Sequence, residues 1–252
     1  MRIPLYLSLA ASLIASPLLV AEELPPAVRQ IEAKGAEVVG RFDAPDGLKG
    51  YAARFQNRGV ALYLTPDGKH VLVGSLFDAQ GRDLSEPQLE KLVYAPMAKE
   101  VWAKMEKAAW IADGKADAPR IVYLFSDPNC PYCNMFWEQA RPWVESGKVQ
   151  LRHIMVGIIR ADSPGKSAAL LAAKDPQKAL LEHERAGKAS TLKALEQIPA
   201  EVQARLDANQ ALMDELGLSA TPAIFYLDEQ QRLQQQQGAP RPELLGKILG
   251  KR

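Results

Sequence analysis

The sequence predicts two folded units in series, a small α+β unit and then an alternating α/β unit. Three observations carry this. Short strand-like segments alternate with turn clusters over residues 38–81, behind one short helix. A helical period then takes over and ends in the polar run Asp113-Gly114-Lys115-Ala116-Asp117-Ala118-Pro119. Beyond that run, apolar strand segments alternate with amphipathic helices. The 252 residues are 47% hydrophobic, enough to bury one large core or two modest ones. Charged residues are 24% of the chain, which argues against wholesale disorder. The formal charge of +1 gives no sign of a nucleic-acid or anionic-membrane partner.

Residues 1–21 read as a secretory signal peptide. Arg2 supplies the positive start, Leu5 to Val20 is apolar, and Ala21 precedes Glu22-Glu23. The apolar run falls short of the roughly 20 residues of a spanning helix, and Pro17 interrupts it. Leu19 fits the small-residue rule at the cleavage site poorly. Export places the chain in an oxidising compartment, where disulfides persist.

Residues 22–85 form the first unit. Pro25-Pro26 opens a helix from Ala27 to Lys34, and Gly35 ends it. Strands are predicted at Val38–Phe42, Lys49–Gln56, Val60–Leu64 and His70–Phe77. The turn clusters Pro45-Asp46-Gly47, Asn57-Arg58-Gly59, Pro66-Asp67-Gly68 and Asp78 to Gly81 separate and end them. The last two strands make a hairpin. So small a sheet buries little alone and is expected to pair with another copy. Residues 86–118 are read as a linker helix and linker. Leu89, Leu92, Val93, Met97, Val101, Met105 and Ala108 recur at helical steps, and Pro96 should kink or break the run.

Residues 119–252 form the second unit. Strands are predicted at Ile121–Ser126, Val149–Val156, Ala223–Leu227 and Arg232–Gln237. Helices are predicted at Pro131–Trp143, Ser167–Ala186 with Pro176 interrupting, Ala200–Leu216 and Arg241–Leu249. Strand–helix–strand, an insertion of helices, then hairpin and helix is the order of a thioredoxin fold.

The chemistry lies in Cys130-Pro131-Tyr132-Cys133, between an apolar strand and an amphipathic helix. These are the only two cysteines. A bridge between them would close a four-residue loop. Loop entropy credits that with only about 2 kcal/mol, against about 4.7 for a 100-residue loop. Stability is therefore a weak reason for the pair, and redox chemistry a better one. Cys130 should cap the helix, with Pro131 at the first helical position, where a missing N–H costs nothing. Unpaired N–H groups and the dipole there favour thiolate, so the Cys130 pKa should fall below the free value of about 8.5. The thiolate attacks in disulfide exchange, and the less exposed Cys133 would resolve the mixed disulfide. Tyr132 adds no positive charge, so stabilisation should be weaker than a histidine there would give. Thr221-Pro222 opens a strand about 90 residues downstream. Beside the cysteine pair this proline is expected cis, exposing the Thr221 backbone to an extended substrate. Taken alone, an ordinary trans proline at a strand start is an equal reading.

Other candidates carry less. A zinc site needs about four ligands. His70, His153 and His183 have no close spacing to the cysteines, so no metal is expected, nor any cofactor beyond the redox-active pair Cys130–Cys133. The histidines read as an exposed turn residue, a strand-face residue and a helix-surface residue respectively. Asp127 reads as a turn former before Pro128 or as a tuner of proton transfer near Cys133. Phe136, Trp137 and Trp143 read as core, Met135 is ambiguous, and Glu182–Arg185 reads as a solvated helix face.

Taken with the signal and the N-terminal meander, Cys130-Pro131-Tyr132-Cys133 and Thr221-Pro222 resemble the dimeric periplasmic thiol:disulfide interchange proteins of the DsbC/DsbG family. The Pro-Tyr dipeptide and the threonine before Pro222 are similar to the DsbG branch. So are Phe42-Asp43-Ala44-Pro45, the stretch from Tyr63 to His70 and the stretch from Gln139 to Val144. The resemblance covers essentially the whole mature chain. It implies a V-shaped homodimer joined through a cystatin-like N-terminal domain, with a linker helix to each thioredoxin domain. It implies Cys130 as nucleophile, Cys133 as resolving thiol, and Pro131, Tyr132, Thr221 and Pro222 against the substrate. It further implies a pair kept reduced by the membrane reductase DsbD, isomerisation of wrong disulfides in exported clients, reduction of sulfenic acid on lone cysteines, and chaperone activity. A chaperone that does not need Cys130 is a separate reading. A net oxidase is less favoured, because the dimer-forming domain accompanies the reduced branch of the family.

Overall fold

The structure, a computed structural model, describes residues 23–56 and 58–251. The signal peptide read from residues 1–21 lies outside the described residues. The chain divides into two units, the first ending at Leu89 and the second starting at Glu90.

The first unit begins with helix α1 (Pro26–Glu32) and continues as strands β1 (Glu37–Asp43), β2 (Lys49–Phe55), β3 (Arg58–Leu64) and β4 (Val71–Val73). They form one antiparallel meander in the order β1-β2-β3-β4. Alternation along β2 and β3 turns Tyr51, Ala53, Leu62 and Leu64 onto Val28 of α1, the core of this unit. On the other face Tyr63 meets Phe42 edge-on and its hydroxyl bonds to the buried Ser85 at 2.6 Å. Gly50 makes room for Phe42, since a Cβ there would lie 2.3 Å from the ring. The predicted strand His70–Phe77 pairs only over Val71–Val73. Beyond it, the Ser85 hydroxyl takes the Leu76 N–H and Phe77 bridges to Asp83, so the backbone leaves the ladder.

Helix α2 (Glu86–Leu89) leads into a π-helical segment, Glu90–Tyr94, and then α3 (Ala95–Lys107). Pro96 does not break the helix. It has no N–H to give the preceding turn, and the chain widens into a π-segment just ahead of it.

The second unit departs from the sequence reading at its start. Residues 110–113 were expected as helix end and linker, with the domain opening at 119. They form strand β5 (Trp110–Asp113), paired antiparallel with β7 (Val149–Met155). Helix α3 also belongs here, through Met105, Val101 and Trp102. The remaining elements are β6 (Arg120–Ser126), α4 (Pro131–Glu145), α5 (Ser163–Leu171), α6 (Pro176–Ala186), α7 (Ala200–Glu215), β8 (Ala223–Leu227), β9 (Leu233–Gln237) and α8 (Pro242–Leu249). The sheet order is β5-β7-β6-β8-β9, with β6 and β7 parallel and the other pairs antiparallel. Central strand β6 shows why helices cover both faces. Val122 and Leu124 pack with Phe136, Ala140 and Trp143 of α4 and with α8, while Tyr123 and Phe125 pack with Met105 of α3 and Met213 of α7. Helices α5, α6 and α7 form an insertion with its own core around Leu170, Leu180 and Leu206, closed onto the sheet by Ile111 and Met155.

Asn209 of α7 ties this insertion to the edge strand. It is fully buried; its amide donates to the Ala109 and Met155 carbonyls at 2.9 Å and its oxygen accepts the Ala109 N–H at 3.1 Å. Asn209→Ala strands these backbone groups and should cost about 3 kcal/mol in urea unfolding.

Candidate functional site

Helix α4 starts at the redox motif. Cys130 caps it in an extended conformation (φ −85°, ψ 111°), and its Sγ accepts the Cys133 N–H at 3.3 Å. Pro131 takes the first helical position, where its ring pre-sets φ. The two side chains have unequal surroundings. Cys130 is buried but lines an open groove, whereas Cys133 is sealed at 1% exposure. A hydrogen bond from the Cys133 thiol is the largest influence on Cys130. Burial opposes it, Thr221 and the N–H groups of Cys133 and Tyr132 add to it, and the thiol falls from 9.0 to about 6. Burial, with Cys130 as neighbour, pushes Cys133 well above the usual thiol range. One sulfur is prepared as thiolate and the other is kept as thiol.

Thr221 and Pro222 stand opposite. Their peptide bond is cis, and the Thr221 carbonyl oxygen lies 3.4 Å from Cys130 Sγ, where it accepts the S–H of the protonated form. Tyr132 projects outward at 59% exposure, and the half-exposed Met135, Ile158 and Ile159 add apolar surface to this unit. The six residues singled out from sequence are thus neighbours in chain or in space around one sulfur.

The structure corrects two readings of the surrounding residues, His183 and Glu184, and adds partners to two others. Asp127 is the turn former before Pro128 and also a hub. Its buried carboxylate accepts from the Asn129 N–H (2.8 Å), the Ser163 hydroxyl (2.8 Å) and the N–H groups of Ile158 (2.7 Å) and Ile159 (3.0 Å). Those four bonds occupy the lone pairs of a carboxylate and fix the turn that carries Cys130. His183 is a clamp, not a surface residue. Nε2 lies 2.8 Å from the Pro128 carbonyl and Nδ1 2.6 Å from the Ser190 hydroxyl. A carbonyl only accepts, so Nε2 carries the hydrogen and Nδ1 accepts from Ser190. Glu184 is buried, with Asn134 of α4 donating to its carboxylate and its backbone carbonyl, both at 2.7 Å. His153 is on a strand face, as read, and that face of β7 is covered, so it lies fully buried 3.8 Å from Asp113. Burial works against the Asp113 charge, but His153 and Arg141 of α4 outweigh it and hold the carboxyl at about 2.

Further along, Asn129 donates to Asp162 and Ser163 at 2.9 Å and accepts from Lys166 at 2.9 Å. The helical insertion therefore grips the motif at Pro128, Asn129 and Asn134. The Asp127-Pro128-Asn129 turn is visible in sequence, but nothing local marks His183, 55 residues from its partner.

Two outcomes follow for the reduced protein. Alkylation of Cys130 should rise with pH through a midpoint near 6. Cys133→Ala removes the largest stabilising bond, so the midpoint moves up. The folded pKa lies below the unfolded one, so the associated stability is complete above about pH 9 and is lost as pH falls through about 6. His183→Ala should lower the exchange rate with a model disulfide by on the order of tenfold. His183→Gln, which keeps a donor for Pro128, should recover most of it, with unfolding midpoints showing that both variants fold.

Comparison with known proteins agrees with this geometry. The sequence model of the disulfide bond isomerase protein N-terminal domain matches residues 23–86, and that of a thioredoxin-like domain matches residues 105–252. The thiol:disulfide interchange protein DsbG of Pseudomonas aeruginosa is 71% identical over 232 residues, covering 92% of this chain and 91% of that protein. The DsbG of Escherichia coli is 48% identical over 230 residues, covering 91% and 93%. The DsbC of Escherichia coli is 27% identical over 195 residues, covering 71% and 70%. Among solved structures, the catalytic domain of Proteus mirabilis ScsC superposes with a TM-score of 0.52 at 22% identity, over 62% of this chain and 96% of that one, a likeness of fold. The chain belongs to the DsbC/DsbG family of thiol:disulfide interchange proteins and is a thiol–disulfide oxidoreductase.

Proposed function

We propose that this protein is a periplasmic disulfide isomerase and reductase that also reduces sulfenic acid on single cysteines of exported proteins. The observation that carries the reading is the unequal pair, with Cys130 lowered to about 6 at a helix start and Cys133 sealed and raised. At neutral pH such a pair holds one ready nucleophile and one latent thiol. Cys130 thiolate attacks a client disulfide, forms a mixed disulfide and expels a client thiolate. A second client thiol can resolve it, which is isomerisation, or Cys133 can, which is reduction. With sulfenic acid, Cys130 attacks the oxidised sulfur, the S–O bond breaks, and the oxygen leaves as water after taking a proton. Cys133 then frees the client thiol. The client gains two electrons, the Cys130–Cys133 disulfide forms, and the membrane reductase DsbD returns it to the dithiol.

The N-terminal unit serves as the dimer-forming domain. Its edge strand β4 is short, and Leu72, Val73 and Phe77 on and beyond it are 56–58% exposed. Exposed apolar side chains on an open strand edge favour pairing with a second copy. Client holding without chemistry is a further role of the dimer, independent of Cys130. The residues at the substrate are Pro131, Tyr132, Thr221 and Pro222, and export by residues 1–21 delivers the chain to the periplasm.

Cys133→Ala mixed with a client bearing one sulfenic acid should accumulate a covalent adduct that reductant dissolves, read by non-reducing mass analysis. Cys130→Ala should form none, yet still suppress aggregation of an unfolding client. An adduct formed by Cys130→Ala would overturn the assignment of the nucleophile.

A further inference from the structure

The groove beside Cys130 has a charge pattern that the exchange reaction does not use. It encloses about 990 Å³ between the start of α4 and the insertion, with Cys130 in its wall. Four cations line it: Arg160 on the loop after β7, Lys166 on α5, Arg185 on α6 and Lys188 on the turn that follows. Lys166 is held by Asp162 at 2.9 Å and by Asn129. Arg160, Arg185 and Lys188 are exposed and ion-pair with no carboxylate among the described residues. Two acids share the lining, Glu138 and Glu184, and Glu184 is bonded to Asn134. Three uncommitted cations thus face one uncommitted acid, on a chain whose formal net charge is only +1. The excess is local to the wall around the nucleophile.

The groove walls are fixed by the same bonds that hold the motif. His183 is tied to Pro128, and Glu184 to Asn134, so the cations beside them on α6 and the following turn are carried at a set place relative to Cys130. Clustered cations beside a concave wall raise the local concentration of an anionic partner and speed its encounter.

We propose that this groove is the subsite for acidic residues flanking the client cysteine, with Arg160, Arg185 and Lys188 as specificity determinants. This rests on Cys130 being the nucleophile of exchange. An extended client whose cysteine reaches Cys130 would lay its neighbouring side chains over these cations, and carboxylates there would be attracted and lysines repelled. The preference lies in the encounter and in client binding, not in the sulfur chemistry.

The test uses the reduced full chain in single turnovers. Two peptides each carry one cysteine in mixed disulfide with pyridine-2-thiol, an uncharged leaving group, and differ only in glutamates or lysines around that cysteine. Cys130 attacks the peptide sulfur, pyridine-2-thione leaves, and Cys133 then displaces the peptide thiol as the Cys130–Cys133 disulfide forms. The acidic peptide should release thione about tenfold faster at low salt, and the gap should shrink as salt rises. Arg160→Glu combined with Lys188→Glu should abolish or invert the preference. Lys148→Glu, at the far end of α4, should leave it intact. Equal rates for the two peptides, or a preference that survives the double reversal, overturn the groove proposal and leave the exchange reading standing. No thione release from either peptide overturns both.

Discussion

The start of helix α4 is the constraint on which the site depends. A helix leaves its first N–H groups without partners, and here Cys130 Sγ takes one of them from Cys133. The same geometry buries Cys133 behind Cys130, so its thiol donates to its partner and stays protonated. Two chemically identical side chains, three residues apart, are given opposite tasks by one helix end. Pro131 costs nothing at this position and pre-sets the turn. The Thr221 carbonyl closes the other side at 3.4 Å and leaves a narrow face of sulfur open to a client.

That helix start is held from beneath and from the side. The strand–turn–helix passage through Asp127 would be a loose loop if its backbone were left to water. The Asp127 carboxylate gathers four donors from three parts of the chain, and Asn129, His183 and the Asn134–Glu184 pair fasten the turn and α4 to the insertion. The insertion between β7 and β8 is therefore more than extra mass on a thioredoxin fold. It braces the nucleophile and builds the charged wall beside it.

The sheet explains why the second unit begins before its polar run. Strand β7 would be an open edge, and β5 covers it antiparallel, carrying Asp113 inward to Arg141 and His153. Helix α3 closes the far face of β6, with Trp102 edge-on to Tyr123 at 4.9 Å. Residues that look like a connector are drawn in because the sheet needs an edge and its second face needs a cover.

Much of this could be read from the chain itself. Alternation and turn residues located the meander, and the 3.6-residue period located α3 and α4. The spacing of Cys130 and Cys133 between an apolar strand and a proline-opened helix identified the chemistry, because helix capping is local and depends on residues adjacent in sequence. Thr221-Pro222 was found by its own residue types, though only the fold brings it to Cys130. Strand β5 was missed because Trp110-Ile111-Ala112-Asp113 is too short to show a period, and its pairing with β7 is a tertiary event. His183 and Glu184 were misplaced for a related reason. Whether a polar side chain faces water or a partner depends on what packs over it, and their partners on the motif side lie 55 and 50 positions away. Local sequence fixes which groups can do the chemistry; long-range packing decides which of them are held, which are buried and what charge stands around them.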